Sequence, residues 1–115
     1  MNSQLISICQ NNDFRRIYNR GKHYVTPVVV IYVLKNRTKN TRLGITTSKK
    51  IGNAVKRNRS RRIIREAWRA VSPFAAKGYD YVLVARGKTP YVKTQDIQKQ
   101  LYRQLKKAGL YQERE

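Results

Sequence analysis

Residues 48–69 read SKKIGNAVKRNRSRRIIREAWR, nine lysines and arginines against one acid, Glu66. Arg57, Arg61, Arg65 and Arg69 recur at every fourth position, with Lys56 before them and Asn58, Arg59 and Arg62 between them. On a helix that spacing lines guanidinium groups along one face. Like charges so placed repel by roughly 0.2–0.5 kcal/mol per pair in an isolated helix, and no acids alternate with them as on a salt-bridged face. A polyanion turns this repulsion into attraction; a merely solvated basic face leaves it uncompensated. Arginine's planar fork suits phosphate oxygens and guanine edges better than lysine does. Asn58 adds an amide that can both donate and accept at a base edge or ribose hydroxyl. Its competing role is a local bond to the helix backbone.

Catalytic groupings are absent from the sequence. His23 is the only histidine, and a lone imidazole among cations reads as structural or phosphate-contacting rather than as a general base. The acids Asp13, Glu66, Asp80, Asp96, Glu113 and Glu115 are scattered, with no close pair to hold two metals. Cys9 has no CxxC partner and no second histidine for zinc. Ile51-Gly52-Asn53 is too short for a phosphate-binding loop, and no GxxxxGK[ST] occurs. Gly52 is expected to permit a turn of positive φ and Asn53 to cap the helix after it. A self-contained nuclease is therefore not expected, and no metal ligands or catalytic residues are assigned.

Composition agrees with a nucleic-acid partner. The chain has 115 residues, 26 Lys plus Arg against 6 Asp plus Glu, and a net charge of +20. That length suits one small domain, and that charge steers binding to nucleic acid while opposing compaction. No apolar run approaches the roughly 18 residues of a spanning helix, and no broad amphipathic face suggests a membrane surface. The first residues lack a signal-peptide pattern, and a single cysteine excludes an internal disulfide. A cytoplasmic setting is expected.

The elements that must carry these residues follow from periodicity. Ile64, Ala67, Trp68 and Val71 fall at i, i+3, i+4 and i+7, the core stripe of a helix over residues 55–71 that stops at Ser72-Pro73. Asn11, Asn12 and Asp13 offer N-caps, and Gly21 a stop, for a helix near residues 13–20. Residues 23–34, HYVTPVVVIYVL, read as a strand whose apolar part, 28–34, suggests cover on both faces. Pro27 belongs at the start of regular pairing or at a bulge. Strands at 42–47 and 79–86 follow, and Thr94 can cap a last helix with Ile97, Leu101, Leu105 and Ala108 inward, ended by Gly109. The order is α-β-β-α-β-α, an α+β sandwich of helices on a small sheet.

SKKIGNAVKRNRSRRIIRE resembles the signature of the bacterial ribonuclease P protein subunits, whose RNR motif appears here as Arg57-Asn58-Arg59. The resemblance extends over Asn12-Asp13-Phe14 with Tyr18, the strand at 29–34, LGITTSKKIGNAVKRNR and YDYVLVAR. It implies one domain over residues 1–115 with the order α-β-β-β-α-β-α, a small central sheet and a left-handed β-α-β crossover, against the usual right-handed rule. On that fold, residues 22–34 divide into two strand segments near Pro27.

The resemblance further implies the protein part of a ribonucleoprotein endoribonuclease. A catalytic RNA removes the 5′ leader of precursor tRNA with Mg²⁺ held mainly by the RNA, and the protein assists. Lys56, Arg57, Asn58, Arg59, Arg61, Arg62, Arg65 and Arg69 would bind the catalytic RNA. A cleft between the first helix and the sheet would hold the single-stranded leader, through Phe14, Tyr18, Val30, Tyr32, Lys49 and Lys50. Residue chemistry is compatible: Phe14 and Tyr18 share a helix face at i, i+4, and Val30 and Tyr32 share a strand face. Aromatic rings on a basic surface stack bases without reading sequence; the competing role of each ring alone is core packing. Ribonuclease P RNA and precursor tRNA are the expected partners, with no membrane and no small-molecule substrate. A ribosomal-type structural RNA binder is the alternative, sharing charge, size and fold class but needing no leader cleft.

Overall fold

Two side chains decide how the apolar segment at 23–34 folds. Pro27 cannot donate to a ladder, and the buried Thr26 clamps the chain around it. The Thr26 hydroxyl donates to the Val29 carbonyl at 2.6 Å and accepts from the N–H groups of Val28 and Val29 at 3.3 and 3.0 Å. The segment is therefore a hairpin of two antiparallel strands, not the single strand that its composition suggests. The computed structural model describes residues 6–112; Glu113 and Glu115 lie outside them. In chain order the elements are β1 (Ile6–Ser7), α1 (Asn11–Arg20), β2 (Lys22–Val25), β3 (Val29–Lys35), β4 (Arg42–Thr46), α2 (Ala54–Val71), β5 (Tyr79–Ala85) and α3 (Thr94–Ala108).

The strands form one sheet in the order β1-β4-β5-β3-β2. β4 and β5 are parallel neighbours joined through α2, the β-α-β crossover of the fold, and β3 runs antiparallel to β5. One sheet face is fully covered. Val29, Ile31, Val33, Leu43, Tyr81 and Leu83 pack there against Ile63, Ile64, Ala67, Trp68 and Val71 of α2 and Ile97, Leu101 and Leu105 of α3. All four residues of the expected α2 stripe are completely buried; Ile63 joins them. The opposite face holds only a small cluster, Ile8, Ile17 and Val82, against which Phe14, Tyr32, Leu34 and Val84 are half-buried. The expected cover on both faces of β3 is thus not found. Among the described residues α1 alone crosses the second face, and it is too short to roof it.

Helix ends match the sequence where the signal is local. Asn53 caps α2 by accepting from the Lys56 N–H at 3.0 Å, and Gly109 ends α3 in the left-handed region at φ 75°. Elsewhere tertiary bonds win. Gln10, not Asn11, Asn12 or Asp13, precedes α1, and it makes no side-chain cap bond. Asp13 instead pairs with Arg16 at 3.2 Å and Arg42 at 3.6 Å. Thr94 is the first residue of α3 rather than its cap, and its hydroxyl donates to Glu66 at 3.3 Å. The carboxylate of Asp96 serves that helix end, accepting from the Lys93 N–H at 3.0 Å. No helix among the described residues is long and apolar enough to cross a membrane.

Candidate nucleic-acid interface

Strand register arranges the half-covered face into rows. Gly44, Val82, Tyr32 and His23 form one row across β4, β5, β3 and β2; Thr46, Val84, Val30 and Val25 form the next. α1 lies over the first of these, and Gly44 is what lets it approach. A Cβ at Gly44 would stand 2.6 Å from the Phe14 ring, so the ring rests directly on backbone. Phe14 is thus partly structural, and it is followed along α1 by Tyr18 with centroids 6.3 Å apart. Tyr18 meets Tyr32 edge-on at 4.8 Å, and its hydroxyl reaches Thr46 Oγ1 at 3.3 Å. Beyond α1, Thr46, Val84, Val30 and Val25 make a floor with Tyr18 as its wall. Tyr18 is 39% and Val25 59% exposed.

His23 extends this aromatic run, its ring 5.6 Å from that of Tyr32. Nothing in the sequence marks it for this place. Its position in the row depends on hairpin register, and the Thr26 clamp that fixes the register has no simple sequence signature. Lys49 and Lys50 are exposed on the 3₁₀ turn Lys49–Ile51 that follows β4, beyond the Thr46 end of the floor. Gly52 then takes φ 138°, the positive-φ turn expected before α2. Phe14, Tyr18, Val30 and Tyr32 therefore do come together, with the two lysines beyond the end of β4.

The cations of α2 divide by what they touch. Arg62, Arg65 and Arg69 are exposed, and their side chains make no hydrogen bond or ion pair among the described residues. Arg57 donates to the Gly52 carbonyl at 2.7 Å. Arg61 donates to Thr47 Oγ1 at 2.7 Å and to Asn58 Oδ1 at 3.3 Å, leaving the Asn58 amide N–H groups for a ligand. Arg59 turns to the other flank and donates to the Pro90 carbonyl at 2.7 Å. The RNR residues thus do not present one uniform face. Arg61 also joins the two candidate surfaces, because its partner Thr47 is next to Thr46, which touches Tyr18. The partners of Arg61 and Tyr18 are thus consecutive residues at the end of β4, where the basic helix and the half-covered face come nearest in the chain.

A buried ion pair holds α1 in place, and no sequence motif points to it. Asp80 is fully buried on β5. Arg42 grips it with two bonds at 2.8 and 2.6 Å, Asn36 donates at 2.9 Å, and Arg16 of α1 reaches it at 3.4 Å. Burial pushes the Asp80 carboxyl up. The bonds from Arg42 and Asn36 and the charges of Arg42 and Arg16 outweigh that, holding it below the usual carboxylate range. The hydrogen bond to Asp80 in turn raises Arg42, against the opposing effect of burial. With Asp13 also paired to Arg42, the network ties α1 to β4 and β5 and so fixes where Phe14 and Tyr18 stand. Among the described residues, no cluster of three His, Cys, Asp or Glu side chains could hold a metal.

Known proteins agree with this architecture. A family model described as Ribonuclease P matches residues 3–109. The ribonuclease P protein component of Clostridium botulinum strain Langeland is 43% identical over 105 residues, covering 90% of this chain and 95% of the relative. The RNase P protein of Staphylococcus aureus superposes with TM-score 0.81 at 35% identity, over 94% of this chain and 99% of that one. The RNase P protein from Thermotoga maritima gives TM-score 0.77 at 30% identity, over 88% and 96%.

Proposed function

The chain belongs to the ribonuclease P protein family, and from that premise we propose that it binds the catalytic RNA through α2 and the single-stranded 5′ leader of precursor tRNA through the half-covered sheet face. The observation that carries this reading is the join at Thr46 and Thr47. Tyr18 touches one and Arg61 the other, so a strand leaving a structured RNA on α2 would reach the floor past two consecutive residues at the end of β4. The floor is apolar and aromatic, which suits unstacked bases; a duplex keeps its bases stacked internally and gains nothing there. A structural RNA binder has no use for Tyr18 and Val25 in solvent on a half-covered apolar face.

Hydrolysis is assigned to the RNA, with Mg²⁺ held mainly by it. The protein's contribution is positive charge beside the RNA–leader junction, which lowers the demand for cations that screen phosphate repulsion. Single-turnover cleavage of precursor tRNA across a Mg²⁺ series tests the division of labour. Protein alone should cleave nothing, and the holoenzyme should retain cleavage at Mg²⁺ concentrations where the RNA alone has lost it. Efficient cleavage by purified protein without RNA would overturn the assignment.

A further inference from the structure

The segment joining β5 to α3 holds an aromatic ring in solvent on a fixed base. Thr89–Tyr91 is a single 3₁₀ turn whose first two residues are buried. The Thr89 hydroxyl donates to the Val28 carbonyl at 2.6 Å and accepts from the Arg86 N–H at 2.7 Å. Arg86 donates to the Thr26 carbonyl at 2.7 Å, and the Pro90 carbonyl accepts from Arg59 at 2.7 Å. The next residue, Tyr91, is 68% exposed. The Lys56 ammonium lies over its ring, 5.3 Å from the centroid. Four large apolar side chains are exposed among the described residues: Tyr18, Val25, Val55 and Tyr91. The first two line the sheet face; the other two are on the first turn of α2 or against Lys56 of that turn.

We propose that Tyr91 is a stacking platform for one unpaired base of the RNA that α2 holds. The cation lies over one side of a ring that is otherwise largely exposed, and the buried pedestal means that little ordering is needed on binding. Surrounding charge fits an RNA rather than a protein or membrane partner. Lys56 and Arg59 on α2 and Lys88 and Lys93 on the loop are all basic. The acids closest in the chain, Asp96 and Glu66, are engaged at the start of α3. Stacking needs only the π-face of a base, so the site reads single-strandedness and not sequence. Arg59, the RNR residue that faces away from the other arginines, acquires a role here as the strut beneath Pro90.

This inference rests on the assignment of α2 to the catalytic RNA, and the experiment separates the two. Full-length protein is titrated with its own ribonuclease P RNA over a salt series, using Tyr91→Ala, Tyr91→Leu and Tyr91→Phe beside the control Arg62→Ala/Arg65→Ala. Tyr91→Ala and Tyr91→Leu should each lose at least about fivefold in affinity, and Tyr91→Phe should stay within about twofold of wild type. The salt slope should not change in any Tyr91 variant, because the ring neutralises no phosphate. Wild-type affinity in Tyr91→Ala, or equal rescue by leucine and phenylalanine, overturns the platform while the arginine control still weakens binding. An arginine control that binds like wild type overturns the assignment of α2 itself, and the platform falls with it.

Discussion

Removing the rings of Tyr18 and Tyr32 tests whether the sheet face holds the leader. The two rings are not equivalent. Tyr18 is 39% exposed, whereas Tyr32 is half-buried between Tyr18, edge-on at 4.8 Å, and His23 at 5.6 Å. Only Tyr18 offers a face to a base, so the pair should stack one base rather than two. Tyr18→Ala combined with Tyr32→Ala should then cost about 1–3 kcal/mol in leader binding, roughly 5- to 150-fold. Tyr18→Ala alone should account for most of it. Losing the edge-to-face pair removes a further ~0.5–1.5 kcal/mol from folding, small against the roughly 5–15 kcal/mol of a domain this size. The assay is holoenzyme affinity for precursor tRNA with a leader of several nucleotides, set against affinity for mature tRNA. The ratio should collapse while mature tRNA binding holds. An equal loss for both ligands would place these rings in the structural core and refute the leader assignment.

Arg62→Ala/Arg65→Ala/Arg69→Ala should stay folded by circular dichroism, because the three side chains are exposed and off the buried stripe. It should flatten the log–log salt dependence of RNA binding by up to about 0.7–0.9 for each phosphate no longer neutralised; an unchanged slope in filter binding would mean that another surface is used. Asp80→Asn should destabilise by about 2–4 kcal/mol in urea, near the lower end for a broken buried pair because Arg42 keeps some access to water. It should weaken leader binding with it, since α1 loses its tether. The folded-state pKa of Asp80 lies below the unfolded value, so its contribution is present above the ordinary carboxylate pKa and is lost as pH falls through the folded one. Wild-type stability should therefore begin to fall toward that of Asp80→Asn as pH drops below the ordinary carboxylate value of about 4 and meet it only below the folded pKa; parallel pH profiles would count against the network.

What is legible in the sequence is local. The stripe Ile64, Ala67, Trp68 and Val71, the Asn53 cap and the Gly109 stop each depend on residues within a turn or two. Features that the sequence hides depend on partners far along the chain. β1 has two residues and exists only as a parallel pairing of Ile6 and Ser7 with β4, too short for any period to register. The Arg42–Asp80 pair spans 38 positions, and nothing at either position announces the other. Residues 28–34 look covered on both faces because hydrophobicity does not separate a buried face from a half-covered one; Val30, Tyr32 and Leu34 lie on the half-covered one. Tyr32 and Val30 can be named as site residues from resemblance, but their half-burial, and the place of His23 beside them, require the register.

The few acids explain why the surface is so uniformly basic. Each acid placed by the structure makes a bond within the chain, although Glu66 and Asp96 stay exposed. Asp80 joins β5, β4 and α1, Asp13 joins α1 to β4, Glu66 meets α3 through Thr94, and Asp96 closes the start of α3. Of these acids, Glu66 alone stands among Arg62, Arg65 and Arg69, and its bond is to Thr94 rather than to any of them. A chain of net charge +20 carries a self-repulsion that its own residues do not relieve, and counter-charge must come from outside. Because the side chains of Arg62, Arg65 and Arg69 bond to nothing among the described residues while Arg57, Arg59 and Arg61 brace loops, the charge and the scaffold are separable. Removing the first three should weaken RNA binding alone if α2 holds the RNA, whereas removing any of the second three should disturb binding and local structure together.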